Sequence, residues 1–321
     1  MSPDPAVEVR DLVVEYDEVP ALRGVSLAVH AGEVLALLGP SGSGKSSLLH
    51  AVAGFLTPDG GEIRLAGRPV AGHGRSVPPE RRDLAVVFQS YALWPHLSAL
   101  DTVAYPARRR GIDRVQARHE ALAILDRLRI AHLAHRKPSE LSGGEQQRVG
   151  LGRALARHAS VYLFDEPTAH LDTHVRGVFL EEMLARQRGS GAAALYATHD
   201  AEEALGLADR VALLRDGRLV QVGTPQQVYD EPVDLFAAGL TGPASVIDSP
   251  DGSVRVLVRP GWARLGGPLE GKLRAIWFRG PHSDHLVESP LGELLIREPG
   301  APGHQVGARV AWSLQRSWAL P

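Results

Sequence analysis

Apolar and polar residues alternate from Val7 to Tyr16, with Val7, Val9, Leu12 and Val14 as the apolar set, and alternate again from Ala21 to His30. This period of two predicts antiparallel strands at the start of the chain. Four unbroken apolar runs follow: Val34–Leu38, Leu84–Phe88, Val161–Phe164 and Ala192–Thr198. Short runs without alternation predict strands covered on both faces, as in a parallel sheet. Helix-like stretches lie between them, among them Ser47–Ala53 and Arg148–His158. From Ser90 to about Arg136 the spacing is helical, for example at Ala121, Leu122, Leu125 and Leu128, which predicts a helical insertion at about 90–150. Val211–Leu214, Asp216-Gly217 and Arg218–Val222 predict a β-hairpin. The expected fold is α/β, with a parallel-sheet core, an antiparallel β-subdomain and a helical subdomain.

Composition narrows the possibilities. A chain of 321 residues, 44% of them hydrophobic, is long enough for about two domains. A net charge of −2 supplies no overall basic field, so nucleic acid is not an expected partner. The absence of cysteine excludes disulfides and thiolate metal sites. Met1-Ser-Pro-Asp-Pro resembles no signal peptide, and no apolar stretch approaches a membrane span, so a cytoplasmic location is expected.

The densest chemical signal is Gly39-Pro40-Ser41-Gly42-Ser43-Gly44-Lys45-Ser46, which leaves the first apolar run and opens into a helix. In that context glycine-rich backbone cradles phosphate oxygens, helped by the positive end of the helix. Lys45 is expected to reach the β- and γ-phosphates, and the Ser46 hydroxyl to hold Mg²⁺. Lys45 is one of only three lysines, so a compact charge stands where a forked guanidinium would not substitute. Gly39, Gln89, Asp165 and His199 each fall just past the carboxyl end of an apolar run, the edge on which parallel sheets bind ligands. There Asp165 is expected to hold Mg²⁺ through water and Glu166 to activate a water molecule. His199 is expected to contact the γ-phosphate, and Gln89 to sense the metal or the water.

Ser142-Gly143-Gly144 forms a second anion-binding helix start in the same chain. One nucleotide has one γ-phosphate, so a second cradle predicts a two-fold dimer with residue sets exchanged across the interface.

In these residues and their order, the first 240 or so positions resemble the nucleotide-binding subunit of an ABC transporter. The Walker A loop is Gly39–Ser46, the Q-loop residue Gln89, the signature Leu141–Gln146, and the Walker B stretch Val161–Asp165 with Glu166. The D-loop lies around Leu171-Asp172, and His199 completes the set. The resemblance implies two copies sandwiching two molecules of ATP with Mg²⁺. Tyr16 would stack on adenine, Ser47 would extend the phosphate loop, and Ser142, Gly143, Gly144 and Glu145 would close on the partner's nucleotide. Gln89 and the helical insertion would transmit motion to separate permease subunits served by a solute-binding protein, at the cytoplasmic face of the cell membrane. The chain reads Ala169-His170-Leu171-Asp172 where members often carry Ser-Ala-Leu-Asp, so the serine hydroxyl is missing.

Gly223–Tyr229 and Phe236–Gly242 resemble the segment that leads, in bacterial importer ATPases, to an extra C-terminal domain of the TOBE type. The resemblance places the domains at 1–241 and 242–321. Alternation at Val254, Val256 and Val258, at Ile276 and Phe278, and at Val310, Trp312 and Leu314 predicts a small OB-type β-barrel. Four of the five tryptophans lie there, with nine Arg/Lys against seven Asp/Glu, a balance that favours core packing over stacking of nucleic-acid bases. The short tail tilts the resemblance toward iron, polyamine or thiamine import, with a sugar importer, an exporter and a soluble regulatory ABC protein as the alternatives.

Overall fold

The computed structural model describes residues 4–72, 74–87, 93–168, 173–251 and 253–320. The chain divides into two compact units, Met1–Pro225 and Gln226–Pro321.

The first unit opens with β1 (Val7–Tyr16) and β2 (Val19–Val29), antiparallel as their alternation predicts, followed by β3 (Val34–Leu38) and α1 (Lys45–Ala53). Next come β4 (Gly60–Leu65), β5 (Arg68–Gly72), β6 (Arg75–Ser76) and β7 (Leu84–Val87). The helical insertion carries α2 (Ala99–Arg109), α3 (Arg114–Arg127) and α4 (Gly143–Leu155). The unit ends with β8 (Val161–Asp165), α5 (Thr173–Ser190), β9 (Ala193–Thr198), α6 (Ala201–Leu207), β10 (Arg210–Arg215) and β11 (Arg218–Gly223).

Two sheets result. One is antiparallel, in the order β2-β1-β4-β5-β6; the other runs β11-β10-β3-β9-β8-β7, parallel except for the terminal hairpin strand β11. The parallel strands are buried on both faces, which is why their sequences run apolar without alternation. Val161 and Leu163 of β8 join a core with α1 and the antiparallel sheet. Tyr162 and Phe164 pack on the other face with Leu151, Phe179 and Tyr196. The insertion has its own core, around Val103, Ile124, Leu125 and Val149. α4 begins at Gly143, five residues before the apolar periodicity first predicts a helix. Ser142 and Glu145 form a capping box that starts the helix despite two glycines of low propensity.

The second unit contains two short helices, α7 (Pro225–Asp230, its first residue belonging to the first unit) and α8 (Leu235–Thr241). Seven strands follow: β12 (Ser245–Asp248), β13 (Arg255–Val258), β14 (Ala263–Phe278), β15 (His282–Ser289), β16 (Gly292–Pro299), β17 (Arg309–Leu314) and β18 (Trp318–Ala319). The OB-type expectation needs correction in one respect. Among the described residues the strands hydrogen-bond as two antiparallel sheets, β12-β13-β18 and β16-β15-β14-β17, around one core, rather than as a single closed barrel. Trp312 is fully buried in that core, whereas Trp277 is 41% exposed.

The compact division also falls earlier than Gly242. Arg259, wholly buried on the C-terminal side, donates to the carbonyls of Tyr229 and Ala238 and to Thr241 Oγ1, and its guanidinium lies 4.1 Å from the Tyr229 ring centroid. These bonds hold α7 and α8 to the β-strands, so both helices belong with the second unit.

Candidate nucleotide site

The glycine-rich loop lies between the end of β3 and α1, where its glycines answer steric demands. A Cβ at Gly39 would stand 2.5 Å from Ser43 Oγ and 2.6 Å from the Leu214 carbonyl oxygen. Gly44 has φ +103, and a Cβ there would lie 2.7 Å from the Ala21 carbonyl oxygen, so β2 presses directly on the loop. Lys45 is buried and donates to the carbonyls of Gly39 (2.8 Å) and Pro40 (3.0 Å). Burial lowers its pKa, an effect opposed by the charges of Glu166 and Asp165.

Asp165 ends β8, and Ser46 Oγ donates to its Oδ1 at 2.9 Å. Its second oxygen lies 3.8 Å from His50 Nε2. Burial raises the Asp165 pKa, while the Ser46 hydrogen bond and His50 pull the other way. His50 is not among the site residues expected from the sequence. Its signal was the i, i+4 spacing from Ser46, which places both residues on one face of α1.

Glu166 takes a left-handed φ of +45, unusual for a residue with a side chain, and its N–H donates to Ala197 of β9. Its Oε1 lies 3.2 Å from His199 Nδ1; the Glu166 side chain is 18% exposed and that of His199 58%. Neighbouring carboxylates therefore point to different partners, Asp165 to Ser46 and Glu166 to His199.

Ser142 and Glu145 satisfy each other: Glu145 N donates to Ser142 Oγ at 3.4 Å and Ser142 N to Glu145 Oε2 at 2.7 Å. Ser142 and Gly143 are exposed. Tyr16, at the end of β1, is 46% exposed. Pro40, Ser41 and Gly42 lie in the described loop, and Ser47 in the first turn of α1. Gln89 and the segment Ala169–Asp172 lie outside the described residues.

The loop suits a phosphate chain. The buried Ser43 hydroxyl has no hydrogen-bond partner among the described residues, and the Lys45 hydrogen bonds go to neutral carbonyls. An anionic ligand would satisfy both groups. Adjacent Ser46 and Asp165 offer the hard oxygen ligands that Mg²⁺ requires.

Residues 22–169 match the family model described as "ABC transporter". The spermidine/putrescine import ATP-binding protein of Frankia alni is 39% identical over 95% of this chain and 68% of its own length. The chain belongs to the ABC transporter ATP-binding family. The sn-glycerol-3-phosphate import ATP-binding protein of Vibrio cholerae is 42% identical over 74% of this chain and 63% of its own length. The chain thus spans about two thirds of the length of these relatives. Among solved structures, a dimeric post-hydrolysis ATP-binding cassette bound to ADP and Pi matches with TM-score 0.62 and 28% identity. It covers 68% of this chain and 98% of that one. This ABC cassette therefore has the α/β P-loop fold that the apolar runs predict.

Proposed function

We propose that this chain is the Mg²⁺-dependent ATPase subunit that energises an ABC importer. The observation that carries the reading is the pairing of Ser46 with Asp165 and of Glu166 with His199 at the carboxyl ends of β8 and β9, beside the Lys45 loop. When bound, ATP supplies the phosphoanhydride bond to be broken, and Mg²⁺ the electrophilic charge. Gly39–Ser47 hold the phosphates, with Lys45 neutralising their charge, while Ser46 and Asp165 hold the metal. Glu166 accepts the proton of the attacking water, and His199, within reach of Glu166 Oε1, orients that carboxylate and the γ-phosphate side of the site. Gln89 is assigned the metal- or water-sensing role, Tyr16 the adenine, and Ser142, Gly143, Gly144 and Glu145 the nucleotide held by a second copy.

In this reading a homodimer works on separate permease subunits, with a separate solute-binding protein, at the cytoplasmic face of the membrane. No described helix is long and apolar enough to cross a bilayer. The ATPase is carried by Met1–Pro225, with its helical subdomain at about 90–150, and the regulatory β-domain by Gln226–Pro321, its helical leader included. A polyamine is the first solute to test, because the likeness to the spermidine/putrescine import protein extends over 95% of the chain, C-terminal unit included.

Glu166→Gln removes the base while leaving the phosphate loop intact. Turnover is expected to fall roughly 10²- to 10³-fold with ATP affinity kept. Gel filtration with ATP should then show an accumulated dimer. Turnover at the wild-type rate would refute the base assignment.

A further inference from the structure

The Glu166–His199 pair is held by a buried contact outside the set of residues that meet the nucleotide. Thr168, two residues beyond Glu166, donates through Oγ1 to Glu203 Oε1 at 2.5 Å, and the same hydroxyl lies 3.4 Å from Tyr196 Oη. Thr168, Glu203 and Tyr196 are all buried. Glu203 sits in the first turn of α6, four residues beyond His199, and its N–H donates to the N-cap Asp200 at 3.2 Å. Asp200 N donates in turn to Thr198 Oγ1, and Arg176 Nη1 of α5 donates to Asp200 Oδ2. On the other side, Gln147 Nε2 of α4 donates to the carbonyl of Pro167.

Glu166 thus occupies a strained left-handed conformation immediately before two anchored residues, Pro167 and Thr168, and α6, which holds Thr168 through Glu203, begins just after His199. Strain of this kind persists only where the surroundings over-determine it. A buried carboxylate is strongly penalised when its hydroxyl donors are lost, and Glu203 has two here, Thr168 and Tyr196, so the three side chains have a firm energetic preference for one geometry.

We infer that Thr168 and Glu203 are positioning residues for hydrolysis. Their buried hydrogen bond ties the segment carrying Glu166 to the helix following His199 and fixes the distance between those two side chains. Among the described residues neither hydrogen-bonds to the Gly39–Ser46 loop, so the contact governs turnover rather than nucleotide capture. The inference rests on the hydrolytic reading of Glu166 given above.

The test uses the full chain and steady-state ATPase kinetics. Thr168→Val keeps the shape and removes the donor; kcat is expected to fall roughly tenfold to a hundredfold, the scale of a small misplacement of a catalytic group. The KM for ATP should stay within about twofold. Thr168→Ser should restore most of kcat, a recovery that filling the space alone would not give. In a Glu166→Gln background, Thr168→Val should cost little further turnover, since the group it positions is already gone. If Thr168→Val fails to fold, Glu203→Gln, which retains an acceptor for Thr168, should fold and keep more than half of kcat, while Glu203→Leu should lose it. Wild-type kcat in Thr168→Val, an equal loss in the Val and Ser variants, or a rise in KM matching the fall in kcat would overturn the inference. Normal turnover in Glu166→Gln itself would instead sink the functional reading beneath it.

Discussion

The two glycine-rich helix starts, Gly39–Ser46 and Ser142–Gly144, have opposite hydrogen-bonding situations. In the first, Lys45 and the Ser43 hydroxyl are buried, no acidic residue stands in the first turn of α1, β2 and β10 press on the loop, and Asp165 of β8 bonds Ser46. In the second, Ser142 and Glu145 saturate each other in a capping box on an exposed helix end. The first cradle is thus assembled by distant parts of its own chain, whereas the second is complete as a local cap and presents a carboxylate of its own nearby. A phosphate arriving at Ser142 meets a like charge at Glu145 and gains little without further positive charge from elsewhere. That asymmetry supports the proposed division of the site between two subunits.

The strongest test of the contrast is Lys45→Ala. Losing a charge-assisted bond to phosphate should weaken binding of a fluorescent ATP analogue roughly tenfold to a hundredfold, and an unchanged Kd would remove the first cradle from the site. Ser142→Ala should leave that Kd within about twofold while slowing turnover several-fold. Loss of the cap should also cost about 1 kcal/mol of stability in denaturant titrations. Loss of monomer affinity instead would mean that the second cradle serves its own chain.

Two smaller effects probe electrostatics through thermal melts without nucleotide. Burial raises the Asp165 pKa, so this site favours the neutral acid, and the stability it contributes is lost as pH rises through the folded-state pKa. Asp165→Asn should therefore melt higher than the parent near neutral pH, with the gain shrinking toward about pH 4, even as Mg²⁺-dependent activity disappears. Glu145 has the opposite sign, because hydrogen bonds from Ser142 lower its pKa. Its contribution is present above the carboxylate range and lost as pH falls through the lowered value. Glu145→Gln should slightly lower the melting temperature at neutral pH, and the difference should vanish in acid.

The apolar runs at Val34–Leu38, Val161–Phe164 and Ala192–Thr198 made the parallel sheet legible, since strands buried on both faces leave a continuous hydrophobic signature. The polar residues just beyond them then located the site, because β8 and β9 lie side by side in register and bring Glu166 to His199. What stayed hidden depends on partners far apart in the chain. Arg82, buried, donates to the carbonyls of Ala51 and Val52 at the end of α1, and nothing near Arg82 announces that contact. The Thr168–Glu203 bond joins residues 35 apart. In the C-terminal unit, alternation identified strands but not their grouping. β14 is 16 residues long and changes register on β17 between Leu265 and Leu269, a bend that period-two reading does not reveal.

Arg259 carries a practical consequence for dissecting the chain. Four of its six hydrogen bonds go to residues before Gly242: two to the Tyr229 carbonyl, one to Ala238 and one to Thr241. A fragment starting at Gly242 would bury a guanidinium with most of its acceptors missing, and a fragment ending at Thr241 would bare the apolar side of α8, Ala237 and Ala238. The transferable module is therefore the β-strands together with their helical leader. Grafts, truncations and chimaeras that cut near Pro225 should inherit a self-consistent unit, while those that cut at the first strand should inherit an unpaired charge.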